Sequence, residues 1–211
     1  MNKSGIQQPQ SKLVQRWGLT GNIGSGKSSV ARLLKAKGAA IIDADALAKT
    51  ATQDPEVLKE IASQLGEQLV TEGGLDRVAT AALVFEDSSA RETLNGIIHP
   101  WVGRERRRLE KDLLTQPNSP QLILHDIPLL YETGLENDVD GVIVVTAPLA
   151  TRIDRVIARS QLSAQDIEAR DYSQLDLAEK AAKADVVIDN SGSWEMLEQQ
   201  VNQFWERVVQ P

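Results

Sequence analysis

One stretch constrains the fold of this 211-residue chain more than any other: Gly21-Asn22-Ile23-Gly24-Ser25-Gly26-Lys27-Ser28. It matches G-x-x-x-x-G-K-[ST], the phosphate-binding P-loop pattern, at every fixed position. The glycines let backbone N–H groups approach phosphate oxygens, the lysine reaches the terminal phosphates, and the serine hydroxyl can ligate Mg²⁺. We therefore predict a site for a nucleoside triphosphate and Mg²⁺, formed by Asn22, Ile23, Gly24, Ser25, Gly26, Lys27, Ser28 and Ser29.

The flanks of this motif fit the strand and helix that a P-loop requires. Residues 13 to 20 lead in as a strand, and from Lys27 onward Val30, Leu33 and Leu34 fall on one helical face. The alternative is an ordinary glycine turn with a solvated lysine. The strand-to-helix setting argues against that alternative, so we predict nucleotide binding.

Composition excludes several classes of protein. Lys and Arg number 23 against 30 Asp and Glu, and the net charge of −7 argues against a general nucleic-acid or membrane binder. The absence of cysteine excludes disulfides, thiolate metal sites and a cysteine nucleophile. The sequence has no apolar run long enough for a signal peptide or a membrane span. We expect a soluble, cytoplasmic monomer that binds small molecules, with a disordered tail over residues 1 to 11.

Strand and helix patterns alternate along most of the chain. Apolar runs at 39 to 42, 121 to 126, 141 to 146 and 184 to 189 predict further strands, each followed by a helical pattern. This alternation predicts an α/β fold with three layers and a parallel sheet of about five strands covered on both faces. We predict one domain over residues 12 to 205, its core formed by 12 to 53, 120 to 158 and 184 to 208.

Two segments interrupt this core. Residues 54 to 119 are helical by periodicity with almost no strand signal, which predicts a helical insertion. Within it a helix is expected to start at Asp76, and His99-Pro100 is expected to end one helix and begin another. Residues 159 to 183 are polar enough, with Arg170, Gln174 and Lys180, to form a mobile lid over the phosphates.

Acidic residues follow two of the predicted strands. Asp43 and Asp45 come after the second strand, where an extended chain would point both to one side, and Asp126 ends the 121 to 126 strand. Such carboxylates could hold Mg²⁺ or its waters, or accept a proton from a substrate hydroxyl. The sequence leaves open an alternative in which Asp45 only caps the helix starting at Ala46 and Asp43 is a turn residue.

The basic candidates are less clear from pattern alone. Arg155 and Arg159 share a helical face after the 141 to 146 strand. The arginines at 106 to 108 are most simply interpreted as a solvated helix face, and His99 as a buried, hydrogen-bonded residue. The pattern gives Arg155 and Arg159 a shared face but no role.

The motifs, taken in order, resemble the dephospho-CoA kinase family. They are L-T-G-x-I-G-S-G-K-S at 19 to 28, D-A-D at 43 to 45, L-D-R at 75 to 77, Val84-Phe85, H-P at 99 to 100, D-I-P-L-L-Y-E at 126 to 132 and A-D-V-V-I-D-N-S-G at 184 to 192. The resemblance runs collinearly from about residue 13 to 205. It implies transfer of the ATP γ-phosphoryl group to the 3′-hydroxyl of dephospho-CoA, an alcohol-acceptor phosphotransferase reaction that completes coenzyme A synthesis.

The resemblance also implies roles for individual residues. Asp45 becomes the base for the 3′-hydroxyl, Asp43 a metal and substrate helper, and Lys27 with Arg155 and Arg159 the catalytic cations. The other implied substrate residues are Arg77, His99, Leu129 and Glu132, and Asn190 and Gly192 are implied to border the adenine of ATP. Two positions depart from the family pattern, which usually has glycine at Asn22 and an apolar residue at Asp171.

Two other functions remain compatible with the P-loop. One is a kinase of the same architecture that acts on another small metabolite or nucleotide. The other is a regulatory nucleotide switch, although the sequence has neither the N-K-x-D motif of a guanine switch nor the L-S-G-G-Q motif of a transporter ATPase.

Overall fold

A parallel sheet forms the centre of the structure, a computed structural model that describes residues 14 to 209. The strands are β1 (Gln15–Thr20), β2 (Ala40–Asp43), β3 (Val70–Thr71), β4 (Gly74–Leu75), β5 (Leu122–Asp126), β6 (Gly141–Thr146) and β7 (Val186–Asp189). Five of them pair in parallel in the order β2-β5-β1-β6-β7. The predicted α/β fold with about five parallel strands is confirmed. The predicted tail at 1 to 11 lies outside the described residues.

Helices cover both faces of this sheet. They are α1 (Lys27–Ala36), α2 (Ala44–Ala51), α3 (Pro55–Leu65), α4 (Arg77–Glu86), α5 (Ser88–Leu114), α6 (Leu149–Ile157), α7 (Ala164–Tyr172), α8 (Leu177–Lys183) and α9 (Trp194–Phe204), followed by a π-helical turn at Trp205–Val209. Short 3₁₀ turns occupy Glu67–Leu69 and Leu135–Asp138. No helix within residues 14 to 209 is long and apolar enough to cross a membrane.

Alternate residues of the central strands supply two different cores. Trp17, Leu19 and Leu124 pack with α1 and α9, and the buried stripe of α9 consists of Leu197, Val201 and Phe204. Val142 and Val144, from the other face of β6, pack instead with α8 and residues 127 to 139. This two-sided burial explains why β6 is an uninterrupted apolar run.

Residues 55 to 114 form a helical region with a separate core. Buried Val57, Ile61, Leu69 and Ile97 form that cluster between α3, α4 and α5. Asp76 caps α4 as predicted, since its side chain accepts from the amides of Val78 and Ala79. The strands in this region are limited to β3 and β4, which form a short antiparallel hairpin.

The expected helix break at His99-Pro100 was also wrong. Helix α5 runs through Pro100 for 27 residues. An internal proline costs about 3 kcal/mol because it removes one backbone hydrogen bond and crowds the preceding turn. Packing of α2, α3 and α4 along α5 holds the two halves of the helix in line and offsets that cost.

Candidate active site

The loop between β1 and α1 has the backbone geometry of a P-loop. Gly24 and Gly26 adopt positive φ angles of 79° and 95°, which favour glycine. A Cβ atom on Gly24 would lie 2.5 Å from the Arg152 carbonyl oxygen, and one on Gly26 would lie 2.0 Å from Asn190 Nδ2. Side chains at either position would therefore push the loop away from α6 and from the residues after β7.

The N-terminus of α1 is arranged to receive an anion. Gly26 is the N-cap, no side chain caps the helix, and its first turn holds no acidic residue. Within residues 14 to 209, the amides of Gly26, Lys27 and Ser28 have no hydrogen-bond acceptor. Free amides and the positive end of the helix dipole together favour a phosphate at this point.

The Lys27 ammonium group lies beneath this helix end. Its Nζ donates to the carbonyl oxygen of Gly21 at 3.3 Å. Burial lowers the pKa of Lys27, while the charges of Asp126 and Asp45 act in the opposite direction. The charge of Arg159 lowers it further, so two cations face the same small space.

That space is a polar cavity of about 190 Å³. It brings together most of the residues that the sequence assigned to phosphate and metal. Those that line it are Asn22, Gly24, Ser25, Gly26, Lys27, Ser28, Asp43, Asp45, Asp126, Pro128 and Arg159. Ile23 and Ser29, also predicted to bind nucleotide, belong to the same loop but do not line this cavity.

The two aspartates after β2 reach the cavity by a route that the sequence did not predict. Asp43 ends β2 and its Oδ1 accepts from the Ala46 amide at 2.9 Å, so it is the N-cap of α2. Asp45 lies in the first turn of that helix. The prediction that an extended chain points both to one side was wrong, and so was the alternative in which Asp45 is the cap. Both carboxylates line the cavity because the helix begins directly after the strand.

Asp126 lies at the carboxyl end of β5, opposite Asp43 of β2 in the strand register. Burial raises its pKa to about 6, and the charges of Asp43 and Asp45 add to this, while Lys27 lowers it. Its Oδ1 is buried and has no hydrogen-bond partner among the described residues. An orphaned carboxylate oxygen beside further carboxylates is a suitable environment for a hard divalent cation.

The oxygen atoms in this cavity fit Mg²⁺. The Ser28 hydroxyl and the carboxylates of Asp43 and Asp126 are the donors available to it. No group of three or more His, Asp or Glu side chains in the described part of the chain forms a metal cage by itself. Magnesium in nucleotide sites normally takes only one or two protein ligands and completes its coordination with phosphates and waters.

A second, larger cavity of about 420 Å³ adjoins the first. Its wall is mainly apolar and comes from α2, α5 and residues 127 to 135. The lining residues are Ala44, Asp45, Ala48, His99, Pro100, Val102, Gly103, Arg106, Arg107, Ile127, Pro128, Leu129, Thr133 and Leu135. Asp45 and Pro128 line both cavities. The structure thus brings Asp45, His99 and Leu129 together, and His99 is exposed, so the expectation of a buried histidine was wrong.

Two predicted substrate residues lie elsewhere. Arg77 is exposed at the start of α4 and lines neither cavity. Glu132 pairs with Lys180 of α8 at 2.7 Å and accepts from the Leu175 amide at 2.8 Å. The Lys180 side chain is fully buried in this pair. Glu132 therefore connects the segment after β5 to α8.

Arg155, expected to be a catalytic cation, and Asn190, expected to border the adenine, lie beside the P-loop. Arg155 Nη2 donates to the Asn190 carbonyl oxygen at 2.8 Å, while its Nη1 is buried with no partner among the described residues. The Asn190 amide group donates to the Ser25 carbonyl oxygen at 2.8 Å. Gly192 is exposed two residues further along. These contacts attach α6 and the segment after β7 to the phosphate loop.

Arg106 and Arg152 are buried arginines that the sequence analysis did not identify. Arg106 was expected to be solvated with Arg107 and Arg108, but it is buried and pairs with Asp138. Arg107 and Arg108 are exposed, as expected. Arg152 is buried beneath the P-loop and pairs with Asp171.

The two departures from the family pattern are partners in the structure. Asn22 Nδ2 donates to Asp171 Oδ1 at 2.9 Å. Where the family usually has glycine, this chain therefore has an asparagine whose side chain bonds Asp171. Asn22 keeps a negative φ angle.

The parallel sheet, the P-loop and the carboxylates beside a second cavity define a P-loop kinase. A shikimate kinase from Acinetobacter baumannii shares this fold, with a TM-score of 0.51 at 14% identity over 94% of each chain. Residues 16 to 195 match the family model described as dephospho-CoA kinase, and the chain belongs to that family.

Individual relatives agree with this assignment. A dephospho-CoA kinase from Deinococcus radiodurans is 46% identical over 189 residues, which is 89% of each chain. A crystal structure from Thermus thermophilus superposes with a TM-score of 0.78 at 39% identity and covers 92% of this chain and 98% of its own. A dephospho-CoA kinase from Campylobacter jejuni gives a TM-score of 0.68 at 25% identity, covering 92% of this chain and 96% of its own.

Proposed function

We propose that this protein phosphorylates the ribose 3′-hydroxyl of dephospho-CoA with ATP, giving CoA and ADP, the last step of coenzyme A biosynthesis. The observation that carries this proposal is the position of Asp45 on the wall shared by the two cavities. A phosphate site on one side and a larger acceptor site on the other is the arrangement that phosphoryl transfer needs. Family membership supports dephospho-CoA as the acceptor.

The second cavity suits the nucleotide end of such an acceptor. Its volume of about 420 Å³ lies in the usual range for small-molecule sites. The apolar wall suits a flat base, and His99 and Arg107 are exposed at its edge and could contact the anionic groups. Arg77 and Glu132 are proposed substrate residues that lie outside this cavity. In this proposal Arg77 acts when the acceptor extends over the helical region, and Glu132 acts from the segment after β5.

Asp45 is the proposed base. A hydroxyl placed between the cavities would give its proton to the Asp45 carboxylate as its oxygen attacks the terminal phosphorus of ATP. Lys27, Arg155 and Arg159 would balance the charge on the phosphate oxygens during transfer, because positioning and electrostatics supply most of the catalysis in this reaction. Mg²⁺ held by Ser28 with Asp43 or Asp126 would supply further charge neutralisation. Asn190 and Gly192 are proposed to border the adenine.

We also propose that the protein has three parts and is a monomer in solution. The sheet region is the core, residues 54 to 119 the acceptor-binding region and residues 159 to 183 the lid. The separate apolar cluster of the helical region supports the first division. The net charge of −7 is unfavourable for nucleic-acid and acidic membrane partners. A cytoplasmic monomer is proposed, and sedimentation velocity would test the monomer.

Measurement of ADP release with several acceptors tests the function. The protein is given ATP and Mg²⁺ with dephospho-CoA, AMP, CMP or gluconate, and the product is identified by mass spectrometry. We expect stimulation by dephospho-CoA alone, with CoA as product. Stimulation by another acceptor would retain the kinase and replace the substrate, while slow hydrolysis that no acceptor changes would favour a nucleotide switch.

A further inference from the structure

The segment that joins α7 to α8 lies directly on the P-loop. Asn22 Nδ2 donates to Asp171 Oδ1 at 2.9 Å and to the Leu175 carbonyl oxygen at 3.2 Å. Gln174 Oε1 accepts from the Ile23 amide at 3.0 Å. Asp171 near the end of α7 and two residues of the segment that follows it therefore contact two consecutive residues of the phosphate loop.

Asp171 also connects this contact to α6. The Arg152 guanidinium binds both carboxylate oxygens of Asp171, with Nη2 donating to Oδ2 at 3.0 Å. The same guanidinium donates from Nη1 to the Ile23 carbonyl oxygen at 3.2 Å and from Nε to the Ala147 carbonyl oxygen at 3.1 Å. One carboxylate thus joins the lid, the P-loop and α6.

This network is built in the interior. Asn22 is 1% exposed and Arg152 is 4% exposed. Burial disfavours the charged form of Asp171, but the hydrogen bonds from Arg152 and Asn22, with the charges of Arg152 and Lys180, outweigh it and lower the pKa of the carboxyl. A charged, bidentate pair of this kind has a narrow geometry, so it fixes orientation as well as distance.

The orientation of α6 matters for the phosphate cavity. Arg155 follows Arg152 by one turn of α6, and Arg159 lies in the turn directly after α6 and lines that cavity. The Arg159 amide donates to the Val156 carbonyl oxygen at 3.2 Å, so this turn is bonded to the end of α6. Holding α6 in place through Arg152 therefore holds Arg159 toward the phosphates.

We propose that Asp171 is a positioning residue for phosphoryl transfer: through Asn22 and Arg152 it holds the lid closed on the P-loop and orients Arg155 on α6 and Arg159 directly after that helix. The proposal rests on the proposed kinase function. Its consequence concerns how ATP is used. Because a lid that closes loosely admits water as a competing acceptor, part of the ATP is then hydrolysed and not used for transfer to the acceptor.

The central variant is Asp171→Asn, which keeps the shape and removes the charge that pairs with Arg152. Glu168→Gln is the matched control, since Glu168 is exposed on the same helix and its change removes the same charge. We expect Asp171→Asn to lower kcat for transfer about tenfold, as for displaced catalytic groups, and to raise acceptor-independent hydrolysis severalfold as a fraction of transfer. The control should keep the wild-type fraction.

Asn22→Gly supplies a second variant that does not alter the Asp171–Arg152 pair. We expect it to raise the hydrolysis fraction as well, and the double variant Asn22→Gly with Asp171→Asn to be no worse in kcat than the worse single variant. If the two single-variant losses of kcat instead multiply in a folded double variant, the two residues act independently. That result would overturn the shared route through Asn22. Should Asp171→Asn fail to fold, an unchanged kcat and hydrolysis fraction in Asn22→Gly would overturn the proposal.

Thermal unfolding separates positioning from a purely structural ion pair. A lower melting temperature for Asp171→Asn with wild-type kcat, KM for ATP and hydrolysis fraction would overturn the proposal. The failure of the proposed function looks different: the wild type would then not phosphorylate dephospho-CoA at all. In that case the affinity for the ATP analogue AMP-PNP and the basal hydrolysis rate still test the contact. A loosened lid should change both values in Asp171→Asn. Unchanged values would overturn the positioning role of Asp171.

Discussion

The two adjoining cavities differ in how the chain builds them. The phosphate cavity takes most of its wall from consecutive residues of one loop, whereas the acceptor cavity takes its wall from α2, α5 and residues 127 to 135. The phosphate cavity is polar and presents backbone amides. The acceptor cavity is mainly apolar, and its shape comes from the packing of helices. A phosphate site can therefore be encoded locally by glycines, while an acceptor site depends on the packing of distant segments.

The two cavities meet at Asp45 and Pro128, and strand β5 ends close by at Asp126. Neighbouring residues of β5 face opposite ways, because strand side chains alternate. Asp126 faces the phosphate cavity, and His125 is fully buried toward α5, with its Nε2 3.3 Å from Glu110 Oε2. Variants of Asp126 and variants of His125 should therefore have separable effects.

The largest expected effect is on the phosphate side. Lys27→Ala should lower phosphoryl transfer by about a thousandfold, because it removes a positive charge from the phosphates in a site that excludes water. Lys35→Ala, on the exposed side of the same helix, is the matched control and should stay near wild type. Rates are measured by coupled ADP release, with circular dichroism to check folding. Near-normal turnover of a folded Lys27→Ala protein would remove this residue from the mechanism.

Asp45→Asn tests the boundary between the cavities. We expect kcat to fall by about a hundredfold or more, as for loss of a general base, with a much smaller change in ATP affinity. Asp43→Asn is the comparison, because asparagine caps α2 as well as aspartate does and the fold should be retained. That variant should instead shift the Mg²⁺ concentration needed for activity. Equal losses of transfer and ATP binding in Asp45→Asn would place Asp45 on the nucleotide side only.

The pH dependence of stability should separate the two faces of β5. Burial, with the charges of Arg106 and Arg16, lowers the pKa of His125 to about 4, so the unfolded chain binds the extra proton between pH 6.5 and 4. The contribution of His125 to the free energy of unfolding therefore falls on acidification, by about 3 kcal/mol over that range. Asp126, with its pKa raised to about 6, binds the extra proton in the folded state, and its contribution rises on acidification through pH 6 by a similar or smaller amount.

Urea unfolding with a metal chelator between pH 7 and 4 measures both slopes. His125→Asn should become more stable relative to wild type as the pH falls, and Asp126→Asn less stable. Parallel curves for wild type and both variants would show that neither residue has a shifted pKa in the folded protein.

The smallest effect should be confined to the acceptor cavity. Gly103 lines it, and a Cβ atom there would make only ordinary contact with Arg107 at 3.6 Å. Gly103→Leu should raise KM for dephospho-CoA about tenfold while KM for ATP stays unchanged, since a change of a few methyl groups in a pocket has effects of that size. Gly96→Leu on the same helix is the control, because a Cβ atom there meets nothing within 4 Å. A rise in KM for ATP alone would mean that the two cavities are assigned the wrong way round.

Much of the phosphate side was predictable from the sequence for a local reason. Glycine, lysine and serine at fixed spacing determine the loop, and Asp76 begins its helix as expected because capping needs only neighbouring amides. Periodicity likewise predicted the parallel sheet, since burial on both faces leaves continuous apolar strands.

Burial of charged side chains was decided by the tertiary structure. Arg106, Arg152 and Lys180 look like surface residues in the sequence, and each is buried because a carboxylate distant in the chain meets it: Asp138, Asp171 and Glu132 respectively. Pro100 remained inside a helix because other helices pack against it. The sequence by itself determined the phosphate loop and the order of strands and helices, since both follow from local geometry. The tertiary structure decided which charges are buried and what shape the acceptor cavity has, because both depend on segments that meet only after folding.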